Sequence, residues 1–127
     1  MKEQLVDFSL LEELSGGDPK YKYELLEIFL NTVDNGLSNL QQLTEEAIDY
    51  DAIYKQAHAL KSSAGIVKVK DMYEGLLKIE TLGRDIAEAR TTAGKDEIAE
   101  LSGHISATYL QARPLLMAEY EKNKAAS

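Results

Sequence analysis

One histidine stands out for the company it keeps. His58 lies in the run Ile53 to Lys70, IYKQAHALKSSAGIVKVK. Turned as one helix at ~100° per residue, this run puts Ile53, Ala57, Leu60, Ala64 and Val67 in a narrow apolar stripe. His58 falls roughly 140° from the centre of that stripe, on the side shared by Tyr54, Lys61, Ser62, Gly65 and Val69. An imidazole on a solvent-facing helix, with lysine one turn on and small residues around it, suggests an accessible nucleophile. Charge supports the same reading. The chain carries 22 acidic and 14 basic residues, a formal net charge of −8, yet no Asp or Glu occurs from Ala52 through Lys70. Lys55, Lys61, Lys68 and Lys70 occupy that stretch instead. A positive island around a histidine in a negative protein suits an incoming anion such as phosphate.

The elements that must position this histidine are helices. Phe8, Leu11 and Leu14 suit a short first helix, with Ser9 as a possible cap, closed by Ser15-Gly16-Gly17 through glycine's freedom at positive φ. Asp18-Pro19 reads as an N-cap followed by proline at the first helical position. The helix it opens keeps Leu26, Phe29, Leu30, Val33, Leu37 and Leu40 in one stripe and extends to about Ala47. Asn35-Gly36 is a turn signal in its middle, but the stripe stays in phase on both sides. One helix is therefore expected, not a hairpin. Asp51 can cap the histidine helix. A further helix is predicted from Val69 to about Ala89, with Met72, Leu76, Ile79, Gly83 and Ile86 inward and Tyr73, Leu77, Glu80 and Arg84 as a flanking stripe. The last begins near Lys95-Asp96, carries Ile98, Leu101, Ile105, Tyr109 and Ala112 inward, and should kink or end at Pro114. No strand is predicted. The expectation is an all-α, antiparallel up-down four-helix bundle with a short extra N-terminal helix as a lid on one end.

Length and composition narrow the class. At 127 residues one domain is expected, with its core over about 8–121 and residues 122–127 frayed. The absence of cysteine excludes disulfides and thiolate metal sites. No apolar run reaches signal-peptide or membrane-spanning length, which points to a cytoplasmic chain without a membrane partner. A basic island in an acidic chain is too little for nucleic acid as the main partner. His104, between Leu101 and Ile105, reads as a boundary histidine. Glu100 and His104 would supply only half a metal site, and the rest of a bundle di-metal set is missing.

His58-Ala-Leu-Lys61-Ser62-Ser63, preceded by Ala57 and followed by Ala64-Gly65-Ile66, resembles the His-x-x-Lys-Gly-Ser/Ala signature of histidine-containing phosphotransfer (HPt) domains. Upstream, Leu11 to Leu30 is similar to the start of that family's long second helix. Downstream, Leu77 to Arg84 falls at the family's spacing for the next helix. The resemblance covers roughly Phe8 to Arg90. It implies a phosphocarrier in a two-component phosphorelay without independent turnover. His58 would accept a phosphoryl group from a receiver-domain aspartate and pass it to another receiver.

An imidazole has an ordinary pKa near 6.5, so much of it is the neutral nucleophile at cell pH. Lys61 is expected to pair with the phosphoryl oxygens, a bond typically worth about 1.5–3 kcal/mol. Glu80 is the candidate to hold Nδ1–H and leave Nε2 free; the competing reading pairs it with Arg84 at i, i+4 on the surface. Arg84 matches a basic position that some family members use. Docking is expected around Tyr54, Lys55, Ser62, Gly65, Lys68, Val69 and Leu77, with Leu10 from the first helix. Two departures affect the carry-over: the family's glycine after the lysine is Ser62 here, and a later glycine is Lys68. The partners implied are receiver domains, with the chain a monomer, and any Mg²⁺ would belong to the receiver. The rival readings are a non-phosphorylated adaptor bundle that docks and inhibits a receiver or kinase, and a terminal module of a larger hybrid kinase. No ATP-binding glycine motif appears, so self-phosphorylation is not expected.

Overall fold

The first free N–H groups of the two helices that lead to His58 find carboxylates. In the computed structural model, which describes residues 4–46 and 48–127, Asp18 accepts from the Lys20 N–H at 3.1 Å and Pro19 takes the first helical position. The helix so opened, α2, spans Pro19–Glu45. Its expected extension to Ala47 ends on a residue outside the described ones. The histidine helix, α3, spans Tyr50–Ser63. Its cap is Asp49, whose side chain accepts from the Ala52 N–H at 3.2 Å. Asp51, expected in that role, lies in the first turn and pairs with Lys55 at 2.8 Å.

Before them, α1 (Ser9–Ser15) ends at Gly16 and Gly17, both at positive φ. Ser9 does not cap it. Asp7 instead accepts from the Ser9 N–H at 2.9 Å. After α3 come α4 (Met72–Ala87) and α5 (Lys95–Ala126). Helices α2 to α5 form the antiparallel up-down bundle, each packed on its sequence neighbour and α5 closing back on α2. The chain is all-α in class, and α1 lies against α2 with Leu11 sealed in the core.

At 1.5 Å per residue α2 and α5 run about 40 and 48 Å, against about 21 and 24 Å for α3 and α4. The two long helices therefore continue past the histidine layer, where Tyr23 meets the Tyr120 ring edge-to-face at 6.0 Å. Pro114 does not end α5. It and Leu110, whose carbonyl loses its helical donor, are both exposed, so the lost bond lies on the solvent side. Over residues 122–127, where fraying is expected, α5 is helical to Ala126, and Asn123 is buried, donating to the Glu119 carbonyl at 2.7 Å.

The largest departure lies just after the histidine helix. The helix expected to run to Lys70 stops at Ser63, and residues 68–69 form a strand, β2 (Lys68–Val69). It pairs antiparallel with β1 (Val6–Asp7), with Val6 opposite Val69 and Asp7 opposite Lys68. The Lys70 N–H donates to the Leu5 carbonyl at 2.9 Å. Gly65 and the β-branched Ile66 and Val67 weaken the helix, and the N-terminal segment offers the backbone another partner. The following helix accordingly starts at Met72, not Val69, behind Asp71 at φ 63°. It ends at Ala87, just before Ala89, which also has positive φ.

Gly36 sits at the crossing of α2 and α3. A Cβ there would fall into the Leu60 side chain, with Leu60 Cγ only 2.9 Å away and Gln56 Nε2 at 3.1 Å. Glycine is the residue that lets these helices approach so closely, which is why a turn signal sits inside an unbroken helix. Gly36→Ala is expected to destabilise the fold by about 1–3 kcal/mol through overpacking, despite alanine's better helix propensity. Urea unfolding monitored by far-UV circular dichroism measures it. A variant as stable as the wild type would show that the crossing has slack.

Candidate functional site

His58 and Lys61 stand three residues apart on α3, and Glu80 faces them from α4. Gly83, one turn beyond Glu80, lies against α3; a Cβ there would come within 3.2 Å of Tyr54 Cβ. This close packing brings the Glu80 carboxylate across the gap. Its Oε2 is 2.8 Å from His58 Nδ1 and its Oε1 2.9 Å from Lys61 Nζ. The second contacts are longer, 3.3 Å each. Exposure divides the three sharply. The His58 side chain is 63% exposed, Lys61 19% and Glu80 only 5%. A buried carboxylate thus grips the base of an imidazole that stands in solvent.

Burial pushes the Glu80 carboxyl up, but hydrogen bonds and charge from Lys61 and His58 outweigh it and hold the carboxyl below its ordinary range. Glu80 is therefore ionised near neutrality and only accepts. The ring nitrogen facing it must then donate, which makes Nδ1 the protonated one. In the neutral ring, Nε2 carries the free lone pair. This arrangement can deliver a nucleophilic nitrogen of fixed tautomer and orientation.

Arg84 lies one turn from Glu80, with Nη2 3.9 Å from Oε2, at the outer limit of an ion pair. Its guanidinium sits over the Tyr54 ring, 5.5 Å from the centroid. Glu80 is therefore not a surface partner of Arg84; its short bonds go to His58 and Lys61. Lys61, expected on the phosphoryl group, has Glu80 as its partner. The Ser62 hydroxyl turns back to its own helix and donates to the His58 carbonyl at 3.4 Å.

Two shallow hollows flank the histidine end of α3. Tyr54, Lys55, His58 and Arg84 line one. The other includes Leu10, Ala64, Gly65, Lys68 and Tyr73, with Asp7 and Glu74 at its charged edge. Leu10, Leu77, Ser62, Lys68 and Gly65 are exposed. Val69 is not. It is 3% exposed, because β2 turns its side chain into the core. The helical wheel could not show this, since the wheel presumes a helix that has ended by then. Gly65 likewise lies in the turn after α3. Tyr73, 46% exposed, and Asp7 were not among the candidate site residues. Tyr73 was legible in the flanking stripe of α4, whereas Asp7 reaches the hollow through a strand pairing that no local pattern signals. His104 bonds Asp71 through Nε2 at 3.1 Å, away from this cluster. Among the described residues no group of three or more His, Cys, Asp or Glu gathers as a metal site, and no helix is long and apolar enough to cross a membrane.

Comparison with known proteins gives one result. A family model described as the Hpt domain matches residues 24–111, more than half of the chain. The matched span holds most of α2, all of α3 and α4, and the first half of α5; β1 and α1 lie outside it. Searches of the curated proteins and of the solved structures return no match.

Proposed function

The chain belongs to the Hpt domain family, the phosphocarriers of histidine phosphotransfer in two-component signalling, and from that premise we propose that His58 is its phosphoacceptor. The observation that carries the assignment is the exposed imidazole whose Nδ1 lies 2.8 Å from a buried, ionised Glu80. His58 Nε2 attacks the phosphorus of an aspartyl phosphate on a receiver domain. A P–N bond forms while the P–O bond to the aspartate breaks, and that electron pair leaves with the aspartate carboxylate. Nδ1 keeps its proton, so the ring becomes cationic, and Glu80 stabilises the charge as it develops. The reverse step passes the group to the aspartate of another receiver.

Lys61 has a supporting task in this reading. Paired with Glu80, it cancels a negative charge that would otherwise repel the incoming phosphoryl group. The receiver docks over Leu10, Tyr54, Lys55, Ser62, Gly65, Lys68 and Leu77, and supplies any Mg²⁺ itself. The carrier acts as a cytoplasmic monomer and binds neither nucleic acid nor membrane. Incubation with a phosphorylated receiver domain should place acid-labile, alkali-stable phosphate on the wild-type chain. No transfer from any receiver of the source organism would sink the proposal.

A further inference from the structure

Three cations surround His58, and they are not equally free. Lys61 touches both oxygens of Glu80 and is largely covered. Lys55 pairs with Asp51 at 2.8 Å. Among the described residues Arg84 alone of the three has no short ionic contact; the nearest carboxylate oxygen is 3.9 Å away and its side chain is 45% exposed. It is not loose, however. Its guanidinium lies over the Tyr54 ring, and Tyr54, one turn before His58 on α3, lines the hollow that His58 and Arg84 share. His58 turns Nδ1 to Glu80, and its exposed ring shares this hollow with Arg84.

We propose that Tyr54 is a positioning residue: its ring holds the Arg84 guanidinium beside Nε2, so that Arg84, rather than Lys61, receives the oxygens of the phosphoryl group on His58. The proposal rests on His58 being the phosphoacceptor. A guanidinium presents several donors in a planar fork matched to phosphate oxygens, and stacking on an aromatic face leaves its N–H edge free to use them. Fixing it beforehand removes the entropy of gathering a long side chain at each transfer.

A position at the docking face could affect transfer merely by touching the receiver, so the measurement must separate contact from positioning. The equilibrium distribution of phosphate between His58 and a receiver aspartate does so. A docking contact changes how fast equilibrium is reached, whereas a group that stabilises phosphohistidine changes where it lies. Arg84→Ala is expected to shift the distribution toward the receiver by about tenfold or more, the loss of a charge-assisted bond. Tyr54→Leu should shift it about 2- to 5-fold, and Tyr54→Phe, which keeps the ring, should restore the wild-type distribution. In an Arg84→Ala background, Tyr54→Leu should add nothing. The proposal is overturned if Tyr54→Leu only slows the exchange, or shifts the equilibrium as much without Arg84 as with it. A wild type that takes no label overturns the phosphoacceptor assignment and this proposal together; a labelled wild type with an unmoved Tyr54→Leu equilibrium overturns this proposal alone.

Discussion

His58→Gln is expected to remove all labelling by a phosphorylated receiver while leaving the bundle folded. The effect should be complete because nothing else near the site supplies an equivalent nitrogen: His104 lies elsewhere, bonded to Asp71. Stability should change by no more than about 0.5 kcal/mol, since the side chain is 63% exposed. Glutamine can also still donate to Glu80, so the buried carboxylate keeps a second partner. Phosphate labelling by gel, beside urea unfolding of the same preparation, tests both halves. Labelling equal to the wild type would move the phosphoacceptor off His58. Lost labelling in an unfolded variant would leave the assignment to a gentler substitution such as His58→Asn.

Glu80→Ala should have the next largest effect, on two properties at once. It strips Nδ1 of its acceptor and leaves the mostly covered Lys61 ammonium without a partner. Phosphotransfer is expected to slow by about 10- to 100-fold, the range typical when the group orienting a functional histidine is removed. Stability should fall by about 1–3 kcal/mol. Glu80→Gln separates the two roles. It keeps the shape and an acceptor oxygen but cannot offset the cationic ring formed at transfer, so its rate should fall further than its stability. Proton NMR of the imidazole N–H would report whether Nδ1 stays protonated. An unchanged rate in both variants would mean that Glu80 serves only the fold.

The same residue sets an expectation for pH. The Glu80 carboxyl lies below its ordinary value of 4.5 in the folded chain. A group with a lowered folded pKa contributes stability that is fully present above its unfolded pKa and is lost as pH falls through the folded value. The stability gap between wild type and Glu80→Gln should therefore hold from neutrality down to about pH 5 and shrink below 4.5. A gap that closes already between pH 7 and 6 would show that the Glu80 carboxylate is not its source.

Much of this molecule is written in local pattern. The stripe from Leu26 to Leu40 makes α2 one helix, because a 3.6-residue repeat that stays in phase can bury only one face. Four such repeats joined by short loops leave few arrangements other than an up-down bundle. The position of His58 opposite Ile53, Ala57 and Leu60 follows from the same geometry, and the lysine island and the His-x-x-Lys spacing can be read directly off the chain.

What the tertiary structure decided are choices between partners far apart in sequence. Whether the backbone after Ser63 continues as helix or pairs with Val6 and Asp7 depends on a segment some sixty residues earlier, and that choice buries Val69. Lys61 could equally serve a phosphate, solvent or Glu80 on sequence alone; the approach of α4 over Gly83 hands it to Glu80. Arg84 on α4 lies over the Tyr54 ring of α3, a pairing that neither segment shows alone. Periodicity reports which face of a helix is apolar, since that is a property of neighbours along the chain. Which polar groups meet is settled by how the faces dock, through contacts whose energies no single segment contains.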